Sequence, residues 1–218
     1  MEPIKITAHL RNGFAAADEW SPSLDGILAY WKLYLADPEQ FNITQGRSDL
    51  MEPVDGLPLE KITDGELWWW ACSFPMYEVH HVQRNYFHRR FDDQHERFMP
   101  EGTRKVMTAA GPLKNYRKTV VFRLAPKIEW HCVGDGDAIM SLLSHCHHVG
   151  AKPSQGYGAV IQWEMSEGDE RIALFHRPLP VEYAKRCGIS GPVMEWGIRP
   201  PARIPANIAL CVMPSCEK

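Results

Sequence analysis

Between Gly150 and Val160 the chain reads Gly-Ala-Lys-Pro-Ser-Gln-Gly-Tyr-Gly-Ala-Val, and this stretch restricts the fold more than any other. Its three glycines, Gly150, Gly156 and Gly158, permit left-handed backbone angles and let the main chain come close to a ligand's phosphates with no Cβ in the way. Upstream, Ala138, Ile139, Leu142, Leu143, Cys146 and Val149 recur at helical spacing, so a helix is predicted that stops at Gly150. Downstream, Ala159 to Met165 reads as a strand. The loop carries one cation, Lys152. It lacks the Gly-Lys-Ser/Thr order of a Walker loop and the spacing of a dinucleotide fingerprint, which excludes a nucleotide-hydrolysing enzyme and calls for no cofactor.

The flanking chain predicts alternating strands and helices. Ile4, Ile6, Ala8 and Leu10 alternate with Lys5, Thr7 and His9 in a first strand. After an irregular connection, Ser23 offers a helix cap, with Asp25 in the first turn. Leu24, Ile27, Leu28, Trp31 and Leu35 then form an apolar face that ends at Asp37-Pro38. Phe41 to Glu60 is turn-rich and reads as a surface loop. Glu66 to Ser73, with Trp68, Trp69 and Trp70, reads as a buried strand, and Tyr77 to Tyr86 as its continuation or partner. A base-stacking platform is the rival reading of the tryptophans, but large apolar side chains in a strand are more often core. Lys118 to Leu124 and Ile128 to Val133 are two further strands, and Asp135-Gly136-Asp137 is a turn at a helix start. The remainder predicts a strand at Arg171 to Phe175, a short helix at Val181 to Cys187 and a last strand at Ile208 to Val212.

Charge is unevenly spread. The whole chain of 218 residues carries -3, yet Arg84 to Lys127 holds eleven basic residues against four acidic ones, +7, which leaves -10 elsewhere. Such asymmetry is the footprint of a groove for a phosphate backbone. Tyr86, Phe87, Phe91, Phe98 and Tyr116 are interleaved with the cations, as stacking on single-stranded nucleic acid requires. A solvated charged face or a subunit contact is the other reading. The six cysteines form no CxxC pair and the amino terminus lacks a charged-then-apolar leader, so a reduced, cytoplasmic setting is expected. The apolar runs fall short of the ~20 residues of a membrane span.

The order strand, helix, strand, strand, helix, glycine-rich loop, strand is the ferredoxin-like plan of RNA-recognition modules. With Gly150, Gly156 and Gly158 spaced as Gly-x5-Gly-aromatic-Gly, the chain resembles the RAMP superfamily of CRISPR-associated RNA-binding proteins. Phe14-Ala-Ala-Ala-Asp-Glu-Trp20-Ser-Pro-Ser-Leu24-Asp25-Gly26-Ile27-Leu28-Ala29, Gly197-Ile-Arg199-Pro200-Pro201 and Leu210-Cys-Val-Met-Pro214 resemble, more narrowly, the Cas-five-like subunit of type IV CRISPR effector complexes.

The resemblance implies an α+β, ferredoxin-like RAMP domain over residues 1–165, with an inserted basic thumb at about 84–118 and a small β-rich extension over 166–218. It implies a non-catalytic subunit that grips the 5′ handle of guide RNA, caps a filament of backbone subunits and, with a large-subunit-like partner, helps engage target DNA near its flanking motif. The RNA contacts would then be Gly150, Lys152, Gln155, Gly156, Tyr157 and Gly158 in the loop, with Arg84, Arg89, Arg90, Arg104, Lys105, Lys114, Arg117 and Lys118 in the thumb. Tyr157 either stacks on a base or anchors the loop to the core.

Two rivals stand beside this reading. Some RAMP proteins cleave precursor guide RNA without metal, and His145 and His148, three apart on the predicted helix, are candidate acid and base. A metal protein is suggested by His131-Cys132 and His145-Cys146-His147-His148, although no paired zinc-ligand spacing frames them.

Overall fold

Strand β1 (Glu2–Leu10) lies between two antiparallel neighbours, β7 (Lys127–Gly134) and β8 (Val160–Glu167), with Ile6 opposite Trp130 on one side and Met165 on the other. The period-two pattern is realised: Ile4, Ile6, Ala8 and Leu10 are all buried. The computed structural model describes residues 1–44, 51–98, 100, 106–111 and 113–214. Within them the fold is mixed α/β, with four small antiparallel sheets and five α-helices.

Helix α1 (Leu24–Ala36) starts where Ser23 accepts a hydrogen bond from the Gly26 amide, and buries Leu24 and Leu28. Asp37 then serves two helices. Its amide donates to Leu33 O to close α1, and its carboxylate accepts from the Gln40 amide at 2.9 Å. With Pro38 preset at the first helical position, this launches α2 (Pro38–Thr44). The start of the expected surface loop is therefore helical. Helix α3 (Gly136–Leu143), capped by Asp135, packs against α1, and Leu24, Leu28, Ile139 and Leu143 meet Ile6, Trp70 and Trp130 in the main core.

Three predicted elements are corrected. Helix α3 ends at Leu143 rather than Val149, because its last turn tightens: the Cys146 amide donates to Leu143 O at 2.8 Å, three residues back. Cys146 and Val149 are still buried, but from the turn that follows. Arg171 to Phe175 is not a strand but most of α4 (Glu170–Phe175), since the Asp169 carboxylate accepts from the amides of Arg171 and Ile172. Tyr77 to Tyr86 does not pair with the tryptophan strand. That strand, β4 (Leu67–Trp70), pairs with β3 (Lys61–Asp64), whereas β5 (His81–Arg89) pairs with β6 (Tyr116–Leu124).

After β4 the chain runs along the free edge of β7, with bridges Cys72 to Cys132 and Met76 to Glu129, before entering β5. Strand β6 passes into β7 through Ala125 and Pro126 alone, so the β5–β6 hairpin prolongs the central sheet as an arm whose β5 strand is mostly exposed. The short β2 (Phe14–Ala15) pairs with the arm at Arg123 and Phe122.

The carboxyl-terminal part adds β9 (Leu179–Pro180), the predicted helix α5 (Val181–Arg186), β10 (Val193–Gly197) and the predicted last strand β11 (Ile208–Val212), in the order β10-β11-β9. It builds a second core from Leu179, Ala184, Ile198, Cys211 and Met213. Because successive strand residues point to opposite faces, Trp69 enters this second core while Trp70 enters the first. Trp69 and Trp70 are core residues, at 1% and 2% exposure, and Trp68 is half-buried against the main core with Lys61 and Arg199 over its ring.

Candidate nucleic-acid interface

The glycine-rich loop is fastened to β2 and to the chain just before it. The Ala151 amide donates to Ala15 O at 2.7 Å and the Gly158 amide to Gly13 O at 2.8 Å, while the Val149 amide donates to Gly158 O at 2.9 Å. A Cβ on Gly158 would lie 1.8 Å from Val149 O, and one on Gly150 would lie 2.5 Å from Ala15 O. These two glycines are therefore demanded by the protein's own backbone. Gly156, at φ +80°, has nothing within 4 Å of its would-be Cβ, so it is the loop glycine open to an approaching ligand. Lys152 is left-handed too, at φ 61°, ahead of the turn of 3-10 helix at Pro153–Gln155. The amides of Ala151, Gln155, Gly156 and Gly158 are spent on backbone carbonyls, so the loop offers chiefly the side chains of Lys152, Ser154 and Gln155 to solvent.

Loop and arm meet. The Tyr157 hydroxyl accepts from Asn85 Nδ2 at 2.9 Å and its ring lies 5.1 Å from that of Phe122, so Tyr157 ties the loop to the arm. Lys152 Nζ sits 4.0 Å over the ring of Phe87. Neither Asn85 nor Phe122 stands out in the sequence, because their role depends on a register that joins residues 72 apart. Alternation in the hairpin was the available signal: directly opposed residues share a face, so Asn85 with Val120 and Phe87 with Lys118 look toward the loop.

The same register divides the basic residues expected to line one groove. Arg89, opposite Tyr116, and Lys118, opposite Phe87, lie on the loop-facing side. Arg84, opposite Val121, and Arg117, opposite His88, lie on the reverse, where the Arg117 guanidinium stacks 3.6 Å over Tyr86. Arg90 and Lys114 are exposed beyond the strand ends, and Arg104 and Lys105 fall outside the described residues. Arg123, counted with the basic segment, is buried and donates to Ala16 O, so it is structural. Among the described residues, Arg84, Arg89, Arg90, Lys114, Arg117, Lys118 and Lys152 make no ion pair with an acid.

The histidine candidates sit elsewhere than expected. His145 and His148 lie beyond the end of α3, so they do not share a helix face; His145 is 6.0 Å from the Trp31 ring, and His148 bridges to Ala159 through its backbone. His131 Nδ1 accepts from the Asp169 amide at 2.9 Å, and burial pushes the Cys132 thiol up to about 12. Cys146 donates to His148 O at 3.3 Å, and its thiol too is raised by burial. These thiols are held neutral, as core residues are.

A family model described as CRISPR type IV associated protein Csf3 matches residues 2–207. The chain belongs to the Csf3 family. It is thus a subunit of a type IV CRISPR complex, which implies partner proteins, and is consistent with a Cas-five-like subunit. A search of curated proteins finds no match. No helix among the described residues is long and apolar enough to cross a membrane.

Proposed function

We propose that this Csf3-family chain is a non-catalytic RNA-binding subunit that grips the 5′ handle of the guide RNA between its glycine-rich loop and its β5–β6 arm. It caps the filament of backbone subunits and, with a large-subunit-like partner, helps engage target DNA near the flanking motif. The observation that carries this reading is the junction of loop and arm, where Lys152 over Phe87 and Tyr157 against Asn85 and Phe122 continue into Tyr116, Lys118 and Arg89. Unpaired cations beside aromatic rings suit a single strand, whose phosphates are neutralised while its bases stack. A ferredoxin-like core is supported by the antiparallel order in which the 71–76 edge, β7, β1 and β8 follow one another, with α1 and α3 packed together in the main core. The arm interrupts that plan between its second and third strands, where an inserted thumb belongs.

The test is binding of guide RNA carrying its handle as salt is raised. Lys152→Ala with Gln155→Ala should weaken binding and leave the RNA intact in length throughout. Unchanged affinity would remove the loop from the interface. Cleavage of repeat RNA that disappears with His145→Ala or His148→Ala would replace the proposal with the nuclease reading.

A further inference from the structure

The β5–β6 arm has a second surface, on the side turned away from the glycine-rich loop. Because opposed residues share a face, Val82, Arg84, Tyr86 and His88 of β5 lie there with Arg117, Thr119, Val121 and Arg123 of β6. On the loop side Asn85 and Phe87 are half-buried, whereas all four β5 residues of the reverse side are exposed, Tyr86 at 49% and Val82 at 52%. Arg123, buried against Ala16 O, closes the base of this face.

The reverse face is basic as well as open. Neither strand contains an acid. Of the flanking acids, Glu78 precedes β5 and Asp92 follows it, where the Asp92 carboxylate already accepts from the Gln94 amide at 3.0 Å. Arg84 and Arg117 are exposed and make no ion pair among the described residues.

Arg117 is set for two contacts at once. Its guanidinium lies 3.6 Å over the centre of the Tyr86 ring, which uses its face and leaves the in-plane N–H groups for a phosphate. Together the two side chains form an exposed, flat, cationic platform of the kind on which an unpaired base stacks. Arg84 stands one same-face position along from Tyr86, about 6.8 Å away on the strand. Phosphates on either side of a stacked base therefore fall to Arg84 and Arg117. A duplex would keep its bases from the platform, and the ribbon is barred from a major groove because Tyr157 and Lys152 hold its other face against the loop. An acidic peptide backbone would supply charge without a base to stack.

We infer that the reverse face of the arm binds one strand of target DNA, separately from the handle RNA on the loop face. The inference gives a surface to the DNA engagement proposed above and rests on that part of the reading, not on the handle contact.

The test uses the full chain and a fluorescent oligothymidine of about fifteen nucleotides, near the upper site size of single-strand binding modules. Its anisotropy is followed with and without saturating unlabelled handle RNA, whose own binding is measured separately. The DNA should bind equally well in both cases. Arg84→Ala with Arg117→Ala should flatten the dependence of log DNA affinity on log salt by about 1.4. Tyr86→Ala should weaken DNA binding at least about fivefold, and Tyr86→Phe, which keeps the ring, should restore it. All three variants should leave the affinity for handle RNA within about twofold. Absence of DNA binding, displacement of the DNA by handle RNA, tighter binding of the corresponding duplex, or an unchanged salt slope in the double variant overturns the inference. Failure of handle RNA to bind, with DNA still held through Arg84 and Arg117, would count against the loop-side grip and leave this inference standing.

Discussion

Gly156 and Gly158 share a positive φ, of 80° and 70°, but not a reason for it. A methyl group at 158 runs into Val149 O, and relief means moving the strand-like pairing on both sides of the loop. Gly158→Ala should therefore lower stability by more than about 3 kcal/mol, as large strain effects do. Gly156→Ala meets only the left-handed backbone penalty of about 1–2 kcal/mol. Urea unfolding of the two variants separates them, and equal losses would mean that the loop relaxes freely around 158. Tyr157→Phe keeps the ring against Phe122 and loses the bond to Asn85, which should cost about 1 kcal/mol of stability. The sequence marked Tyr157 and left its role open, because the partner that decides it lies on the other side of a hairpin.

At the level of elements, the arm has two faces and only one of them borders the loop. Removing Arg89 and Lys118 together should flatten the dependence of log affinity on log salt by about 1.4, near 0.7 for each single-strand phosphate contact. Removing Arg84 and Arg117 from the reverse face should change the slope far less. If the reverse pair has the larger effect, RNA runs behind the arm. What was legible at this scale followed periodicity: β1, α1, β6, β7, β8, α5 and β11 all lie where their patterns put them. What was hidden followed caps and pairing. The apolar spacing of α3 runs on to Val149 although the backbone stops being helical at Leu143, since a tight turn can bury Cys146 and Val149 equally well. The segment Arg171-Ile-Ala-Leu-Phe looks like a strand until Asp169 is recognised as a cap, and α2 hides behind a proline that both ends one helix and begins the next. The candidate interface was visible as charge and glycine but not as geometry, because sidedness follows from register.

For the whole molecule, the attachment of α4 to the sheet predicts a response to acid. Burial holds the imidazoles of His131 and His176 below their ordinary value of about 6.5. As pH falls, the unfolded chain takes up these protons first. The stability that neutral imidazoles contribute is thus complete above about pH 6.5, declines as pH drops through that value, and levels off below the folded-state values. Urea midpoints at about pH 7.5 and 5.5 should differ in that direction, and His131→Gln should shrink the difference; an unchanged difference would place the effect elsewhere.

Adjacent side chains on β4 also set how the molecule comes apart. Trp69 belongs to one hydrophobic cluster and Trp70 to the other, so losing either cluster strips the wall from its neighbour. The two halves then melt as one cooperative unit, and a chain cut after Glu167 would leave Trp69 and Phe74 facing water. Such a fragment would aggregate rather than survive as an independent module.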